Sequence, residues 1–319
     1  MKIQKTAIIA IIIAGILITG CEQGTEKTKA VTLKSPFIGG TDGVKTEFIG
    51  LREEVFDQGT DPFDVIVKLT NKGESPVNKR DVKVKITGIN PTEFGKAPKD
   101  LEKNPEDDLI ETRKGNAGEI IEGQPIEITF ENLNYGGKLL GDVGFTIRAD
   151  TCYTYKTEAI SKLCIRESLL NPEPEGICEI NENKPIYSSS APIQITKLTE
   201  NARSKDKIAF SIKIENKGTG DVYKRKSKCD KKDRKKENKI YVEINTGLEG
   251  LKCTGLQNLG TTSKGEVTLY DGTKTITCSQ LITNKGDYEQ IIGITAEYDY
   301  EETIQSQFTV KSSGELETS

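Results

Sequence analysis

The residue types that carry most enzyme chemistry are unevenly represented in this chain of 319 residues. It contains no histidine, which excludes a Ser-His-Asp triad, a Cys-His nucleophile pair and a histidine-ligated metal site. A glycosidase that works with two carboxylates needs no histidine. However, the 49 acidic residues are spread along the chain, and no pair stands out by its spacing. We therefore predict a protein that is not an enzyme and has no catalytic residues, metal site or cofactor.

The seven cysteines are the remaining reactive groups. No Cys-x-x-Cys occurs, so neither a thioredoxin-type redox pair nor a zinc knuckle is indicated. Six of them form an even set that suits three disulfides in an oxidising compartment, namely Cys152, Cys164, Cys178, Cys229, Cys253 and Cys278. Sequence does not fix their pairing. We favour Cys152 with Cys164 across a hairpin, Cys253 with Cys278 between neighbouring strands and, by elimination, Cys178 with Cys229. Buried free thiols in a non-oxidising setting are the alternative.

A basic stretch from residue 224 to residue 236, hereafter the basic loop, is the second concentration of charged groups. It contains two aspartates and nine basic residues, namely Lys224, Arg225, Lys226, Lys228, Lys231, Lys232, Arg234, Lys235 and Lys236. We expect a solvated, flexible loop that supports solubility. The alternative is that these residues attract anionic headgroups, acidic glycans or an acidic partner. Nucleic acid is not an expected partner, because the loop lacks aromatic residues for base stacking and the chain has a formal charge of −4.

Other polar residues are assigned structural roles. The acidic runs at 106–108 and 299–302 lack the spacing of a calcium-binding loop, so we expect them to be solvated. Four tyrosines are expected to pack across neighbouring strands rather than to form a ligand-binding surface: Tyr153, Tyr155, Tyr298 and Tyr300.

The N-terminus indicates where the chain works. Two lysines precede an apolar run over residues 7–18, and the run ends in Ile18-Thr19-Gly20-Cys21, which is the layout of a secretory signal. This ending resembles the lipobox of prokaryotic lipoproteins, and the resemblance implies a diacylglyceryl group on Cys21 and cleavage before it. An uncleaved transmembrane helix is the alternative, although the uncharged residues 6–21 would span only about 24 Å as a helix, short of the ~30 Å hydrocarbon core. In either case we expect the rest of the chain at the extracytoplasmic face of the membrane.

The elements that position these groups are predicted to be β-strands in two copies. Residues 65–73 alternate between apolar and polar types and then turn at Asn-Lys-Gly, and residues 210–218 repeat this pattern 145 positions later. We expect the Asn and Gly to supply positive φ angles. Tyr-x-Tyr recurs at the same offset, at 153–155 and 298–300. We expect each Tyr-x-Tyr to end a long strand and a short hairpin to follow. The shared offset favours tandem copies of one domain, and two unrelated β-domains are the alternative.

A family resemblance accompanies the repeat. The run Ile66-Val67-Lys68-Leu69-Thr70-Asn71-Lys72-Gly73, with its counterpart ending at Asn216-Lys217-Gly218, resembles the CARDB-like immunoglobulin-type domains of bacterial and archaeal surface proteins. The stretch from Cys152 through Ile165 is similar to archaeal surface lipoproteins. This resemblance implies adhesion or assembly rather than catalysis.

Together these patterns predict an all-β protein with two tandem antiparallel Ig-like β-sandwich domains after an N-terminal lipoprotein signal peptide. The expected segments are a signal at 1–21, a polar tether at 22–33, domain 1 at 34–165, a linker at 166–190, domain 2 at 191–312 and a polar tail at 313–319.

We expect a lipid-anchored cell-surface protein that acts as a non-catalytic adhesion, spacer or envelope-assembly module. Its expected partners are the membrane, through the lipid anchor, and an envelope or surface protein or glycan. Two alternatives are a solute-binding lipoprotein of a transporter, whose usual fold alternates strands with long helices, and a histidine-independent secreted hydrolase.

Overall fold

The computed structural model describes residues 34–174, 176–257 and 262–314. Within these ranges the regular structure consists of β-strands and short 3-10 turns, the latter at Lys79–Asp81, Pro91–Phe94, Pro98–Leu101 and Arg234–Lys236. The strands are β1 (Val44–Ile49), β2 (Glu54–Phe56), β3 (Phe63–Asn71), β4 (Val82–Thr87), β5 (Glu102–Lys103), β6 (Arg113–Lys114), β7 (Ile120–Ile121), β8 (Ile126–Leu133), β9 (Val143–Ile165), β10 (Glu182–Lys184), β11 (Ile186–Ser188), β12 (Ile193–Ser204), β13 (Lys207–Asn216), β14 (Asp221–Tyr223), β15 (Lys239–Asn245), β16 (Lys252–Thr254), β17 (Lys264–Thr268), β18 (Thr273–Leu281) and β19 (Tyr288–Lys311). The all-β prediction is confirmed. In the described part of the chain, no helix has the length and apolar character needed to span a membrane.

The strands form three main sheets and a small β6-β7 hairpin. One sheet has the order β1-β3-β8 and a second has the order β10-β12-β13-β18-β16. The largest follows the path β17-β15-β19-β9-β4-β5, with β11 alongside β9 and with β2 and β14 alongside β19. The strand pairs are antiparallel, except that β2 runs parallel to β19.

β9 and β19, hereafter the central strands, are the longest elements of the fold. They pair with each other continuously, from Val143 opposite Val310 to Ile165 opposite Tyr288. At about 3.3 Å per residue, the 23 residues of β9 extend over about 75 Å. Buried and less buried residues alternate along β9, as expected when one face of a strand lies against a core.

The central strands carry the axis that relates the two copies of the repeat. Thr154 lies directly opposite Asp299, and these two residues are also equivalent positions at the offset of 145. A residue pair that is both paired and equivalent lies on a pseudo-twofold axis. The sequence repeat is therefore a structural repeat about this point.

Each end of the central pair is completed by one copy. β4 pairs with residues 148–153 of β9, whereas β15 pairs with residues 293–297 of β19. The last part of β19 therefore pairs with the first part of β9, which pairs on its other side with β4, in the sheet that packs on β1-β3-β8. We call this half sandwich 1. Sandwich 2 is the half in which the last part of β9 pairs with the first part of β19, which pairs on its other side with β15. This part of the large sheet packs on the sheet containing β12 and β13.

Hydrogen bonds and ring contacts show that the copies exchange these closing segments. Phe308 of β19 is 3% exposed, and its ring centroid lies 5.5 Å from Phe63 and 5.8 Å from Phe94 of the first copy. In sandwich 2, Thr157 of β9 donates its hydroxyl to the Ile193 carbonyl oxygen of β12 at 2.7 Å. The C-terminal segment of each copy thus packs in the core of the other.

The structure overturns the expectation of a hairpin after each Tyr-x-Tyr. Residues 143–165 and 288–311 are single uninterrupted strands. The predicted linker at 166–190 contains β10 and β11, which pair with β12 and β9. The described residues belong to one compact unit. A division into two domains at the predicted boundaries stays a prediction.

Candidate functional site: the basic loop on the central strands

The inner face of the central strands, which points into the sandwiches, is closed at the pseudo-twofold axis by the four tyrosines. Tyr153 lies opposite Tyr300 and Tyr155 lies opposite Tyr298, and all four side chains are buried. The predicted cross-strand packing of tyrosines is confirmed. Burial raises the pKa of each phenol, to about 12 for Tyr300, so these groups remain neutral hydrogen-bonding residues at ordinary pH.

The tyrosines also position the two Asn-Lys-Gly turns of the repeat. The Tyr155 hydroxyl donates to the Asn71 side-chain oxygen at 2.9 Å, and the equivalent Tyr300 hydroxyl donates to Asn216 at 3.4 Å. A Cβ atom on Gly73 would collide with the Tyr155 hydroxyl, and one on Gly218 would collide with that of Tyr300. Neither glycine has a positive φ. The prediction that these glycines supply positive φ angles is therefore wrong. Glycine is required because a tyrosine hydroxyl approaches each position too closely to leave room for a Cβ atom.

The outer face of the central strands carries Asp299 at the axis, and the basic loop lies over it. Asp299 is 1% exposed. It accepts hydrogen bonds from the Thr154 hydroxyl at 2.7 Å and from the backbone N–H groups of Lys226 at 2.9 Å and Lys228 at 2.6 Å. The Ser227 hydroxyl donates to the same carboxylate at 3.3 Å. The expectation of a solvated acidic run is therefore wrong at Asp299, which holds the loop through the loop's backbone.

A disulfide and ion pairs fix the loop further along. Cys229 is bonded to Cys152 of β9, which joins the second copy's loop to the first copy's strand. Lys231 lies 2.7 Å from Glu301, which is 8% exposed. Burial raises the pKa of Glu301 and Lys231 opposes that shift. At the start of the loop, Arg225 stacks 3.5 Å from the ring centroid of Tyr241.

The three disulfides are confirmed in number and corrected in pairing. Cys253 is bonded to Cys278 as predicted, whereas Cys164 is bonded to Cys178 and Cys152 to Cys229. The preferred pairing of Cys152 with Cys164 is wrong because both lie on the continuous strand β9, about 40 Å apart along it. The elimination that paired Cys178 with Cys229 fails with it.

The loop's backbone is strained where it crosses the axis. Lys226, Lys228 and Cys229 adopt positive φ values of 62°, 56° and 50°. Side chains other than glycine rarely adopt this region. Such residues persist where the surroundings over-determine them. Here the Asp299 hydrogen bonds and the Cys152 disulfide do so, and they hold the loop in one conformation.

The nine basic side chains of the loop divide into two groups. Four have carboxylate partners: Lys224, Arg225, Lys231 and Lys236. Within the described part of the chain, the other five contact no carboxylate, and each is exposed: Lys226, Lys228, Lys232, Arg234 and Lys235.

The loop and strand β4 of the first copy enclose two open depressions on this face. One of about 360 Å³ is lined by Arg80, Lys226 and Lys228, and one of about 390 Å³ is lined by Lys228, Lys232 and residues of β4. The exposed Asp81 also lines the first depression, and two carboxylates in the walls of the second are already engaged. Glu102 pairs with two lysines of β4, and Asp150 accepts from two threonine hydroxyls.

Sequence reasoning found the basic loop but missed the residues that hold it. Asp299 has an equivalent, Thr154, that is not acidic, so the repeat itself offered a signal that this position differs between the copies. Arg80 is distant from the loop in sequence and carried no signal. The predicted lipidation site Cys21, the signal and the tether at 22–33 lie outside the described residues.

Comparisons with known proteins add little. No protein-family model and no curated protein matches the chain. Among solved structures, a serine-rich repeat adhesion glycoprotein from Streptococcus agalactiae is 8% identical, with a TM-score of 0.19, covering 88% of this chain and 100% of that chain. A similarity at this level carries no argument about this protein.

Proposed function

We propose that this chain is a lipid-anchored, non-catalytic surface protein that acts as an adhesion, spacer or envelope-assembly module. The all-β fold is compatible with a non-catalytic surface protein. The observation that supports the proposal most strongly is the exchange of closing segments along the central strands. A body in which both sandwiches share two continuous strands resists bending between its halves, as a spacer or adhesin requires.

The disulfides support the same proposal. Cys152–Cys229 joins the two copies at their axis, and Cys164–Cys178 closes the segment that connects them. Each such bond stabilises a fold by about 2–4 kcal/mol. Disulfides form and persist in oxidising compartments, which agrees with an exported protein.

The described chain enters the body at its middle rather than at one end. Ile38 and Gly39 donate their backbone N–H groups to Glu74 at 2.9 and 3.1 Å, and Val44 donates to the Tyr153 hydroxyl at 3.2 Å. In the proposed anchored protein the chain would therefore join the folded body between the two sandwiches.

Membrane partition of a Cys21→Ala variant tests the anchor. We expect the wild-type chain in the membrane fraction, with a diacylglyceryl mass on a peptide that begins at Cys21. We expect the variant to lose the lipid mass. A Ser35→Ala variant, changed beyond the proposed cleavage point, is the matched control and should behave as wild type. Wild-type protein recovered from the cytosol with reduced cysteines, or a Cys21→Ala variant that partitions with membranes as wild type does, would contradict the proposal.

A further inference from the structure

We infer that the outer face of the central strands is a docking surface for an acidic polysaccharide. This inference deepens the proposed function by naming the class of partner, and rests on it only for the direction in which the surface faces. The docking surface consists of the unpaired cations of the basic loop and one cation of the first copy: Arg80, Lys226, Lys228, Lys232, Arg234 and Lys235.

The docking surface is pre-organised. A flexible basic loop would lose conformational freedom on binding, and that loss opposes affinity. Here Asp299 and the Cys152–Cys229 bond already hold the loop. Moreover, Asp299 holds it through backbone N–H groups of Lys226 and Lys228, so the ammonium groups of both lysines remain free.

The form of the surface favours a polymer over a small anion. Its cations are exposed, and four of them line the two open depressions, namely Arg80, Lys226, Lys228 and Lys232. An exposed ion pair contributes little by itself, so useful affinity requires several contacts to one ligand at once. A polysaccharide with carboxylate or sulfate groups on successive sugars offers such contacts, whereas a single small anion does not.

The direction of the surface favours an external polymer over the protein's own membrane. The chain enters against the Tyr153 hydroxyl, on the inner face of the central strands. The loop is attached through Cys152 and Asp299 on the outer face, because successive residues of a strand point to opposite faces. The docking surface therefore lies on the face opposite the one where the described chain enters.

The test compares two variants with the same change in net charge. The surface variant carries Lys226→Ser, Lys228→Ser, Lys232→Ser, Arg234→Ser and Lys235→Ser. The control variant replaces five exposed basic residues elsewhere that also contact no carboxylate in the described structure: Arg113→Ser, Lys138→Ser, Lys205→Ser, Lys252→Ser and Lys285→Ser. Non-reducing peptide mapping confirms that Cys152–Cys229 is intact in both.

Binding is measured with the full chain in a neutral detergent, against fluorescent dextran sulfate, polygalacturonate and neutral dextran. We expect the wild type and the control variant to bind both acidic polymers but not neutral dextran, and added salt to weaken binding. We expect the surface variant to bind roughly tenfold or more weakly, because each lost contact is small but several act together. An Arg80→Ser variant should show a smaller loss in the same direction.

Equal polymer binding by the wild type and the surface variant would overturn the inference. A second arm uses the full chain in phosphatidylcholine vesicles mixed with acceptor vesicles that contain phosphatidylglycerol. If the wild type tethers those vesicles as strongly as it binds the polymers, and the surface variant does not, a lipid surface is the occupant and the inference is wrong. The polymer arm does not depend on Cys21, so failure of the anchor and failure of the docking surface give separate results.

Discussion

Phe308→Ala tests the exchange of closing segments between the two copies. Phe308 belongs to the second copy in sequence, yet its ring packs against Phe63, Phe94 and Phe145 of the first copy at centroid distances of 5.5, 5.8 and 5.7 Å. Removal of the ring should therefore loosen sandwich 1, whose other strands belong to the first copy and lie far from Phe308 in sequence, and leave sandwich 2 largely unchanged.

The expected magnitude follows from burial. Phe308 is 3% exposed, so truncation to alanine removes nearly a whole buried ring and leaves a cavity. Such changes destabilise by about 3–5 kcal/mol, and the three ring contacts place this site toward the upper end of that range. Because ~1.4 kcal/mol corresponds to a factor of ten, hydrogen exchange of the amides that open together with sandwich 1 should accelerate by roughly a thousandfold or several thousandfold.

Hydrogen exchange followed by mass spectrometry assigns the effect to individual strands. In Phe308→Ala, peptides from β3 and β8 should exchange faster, whereas peptides from β13 and β18 should not. Phe210→Ala is the matched control, since Phe210 is 1% exposed in β13, and it should give the converse pattern. Acceleration of β13 and β18 by Phe308→Ala, with β3 and β8 unaffected, would refute the exchange and favour two self-contained domains.

Three further predictions concern the residues around the axis and the connecting segment. Tyr155→Phe removes a hydroxyl that forms hydrogen bonds with two buried polar groups. It should lower the free energy of unfolding, measured by urea denaturation, by about 1–3 kcal/mol. The control Tyr288→Phe removes an exposed hydroxyl and should have little effect. Burial raises the pKa of Glu200 to about 7 from its ordinary 4.5. Between these two pH values the folded protein therefore retains a proton that the unfolded chain releases. The free energy of unfolding should fall by up to about 3 kcal/mol as the pH rises through this range. Urea denaturation at both ends of this pH range measures the change in the free energy of unfolding. The change should be absent in Glu200→Gln, and an unchanged pH dependence would refute its assignment to Glu200. Cys152→Ser combined with Cys229→Ser should speed tryptic cleavage within residues 224–236 while leaving the rest of the fold resistant, and no change in cleavage would show that the disulfide does not hold the loop.

Sequence patterns predicted those features that depend on local alternation. The buried residues of β3 and β13 and the packing of the tyrosines follow from period-two patterns in which each strand has one face against a core. The hairpin after Tyr155 was a wrong prediction, although the sequence held a contrary signal. Alternation continues through Thr157, Ala159 and Ser161 without glycine, proline or asparagine to turn the chain.

The disulfide pairing could not be predicted because it depends on partners far apart in sequence. Once β9 is continuous, Cys152 and Cys164 lie too far apart to pair, and each must find a partner on another segment. Cys152 meets the basic loop, 77 residues away in sequence, only because the two copies are brought together about Thr154 and Asp299. No local pattern encodes that contact.

The position of the axis also explains why only one copy carries a basic loop. Equivalent residues meet at a twofold axis, so identical loops from both copies would compete for the same outer face above Thr154 and Asp299. The first copy enters β4 directly at Val82 and has no basic insertion there. The paired residues differ in the same way. One carboxylate beside a threonine can accept hydrogen bonds from the threonine hydroxyl and from the loop's N–H groups, whereas two buried carboxylates would repel each other.

If this reasoning is correct, a Thr154→Asp variant should make the basic loop susceptible to trypsin, even though Cys152–Cys229 and every residue of the loop are unchanged. A Thr154→Val variant, which removes only the donated hydroxyl, should leave the loop protected, and equal cleavage of the two variants would contradict the account.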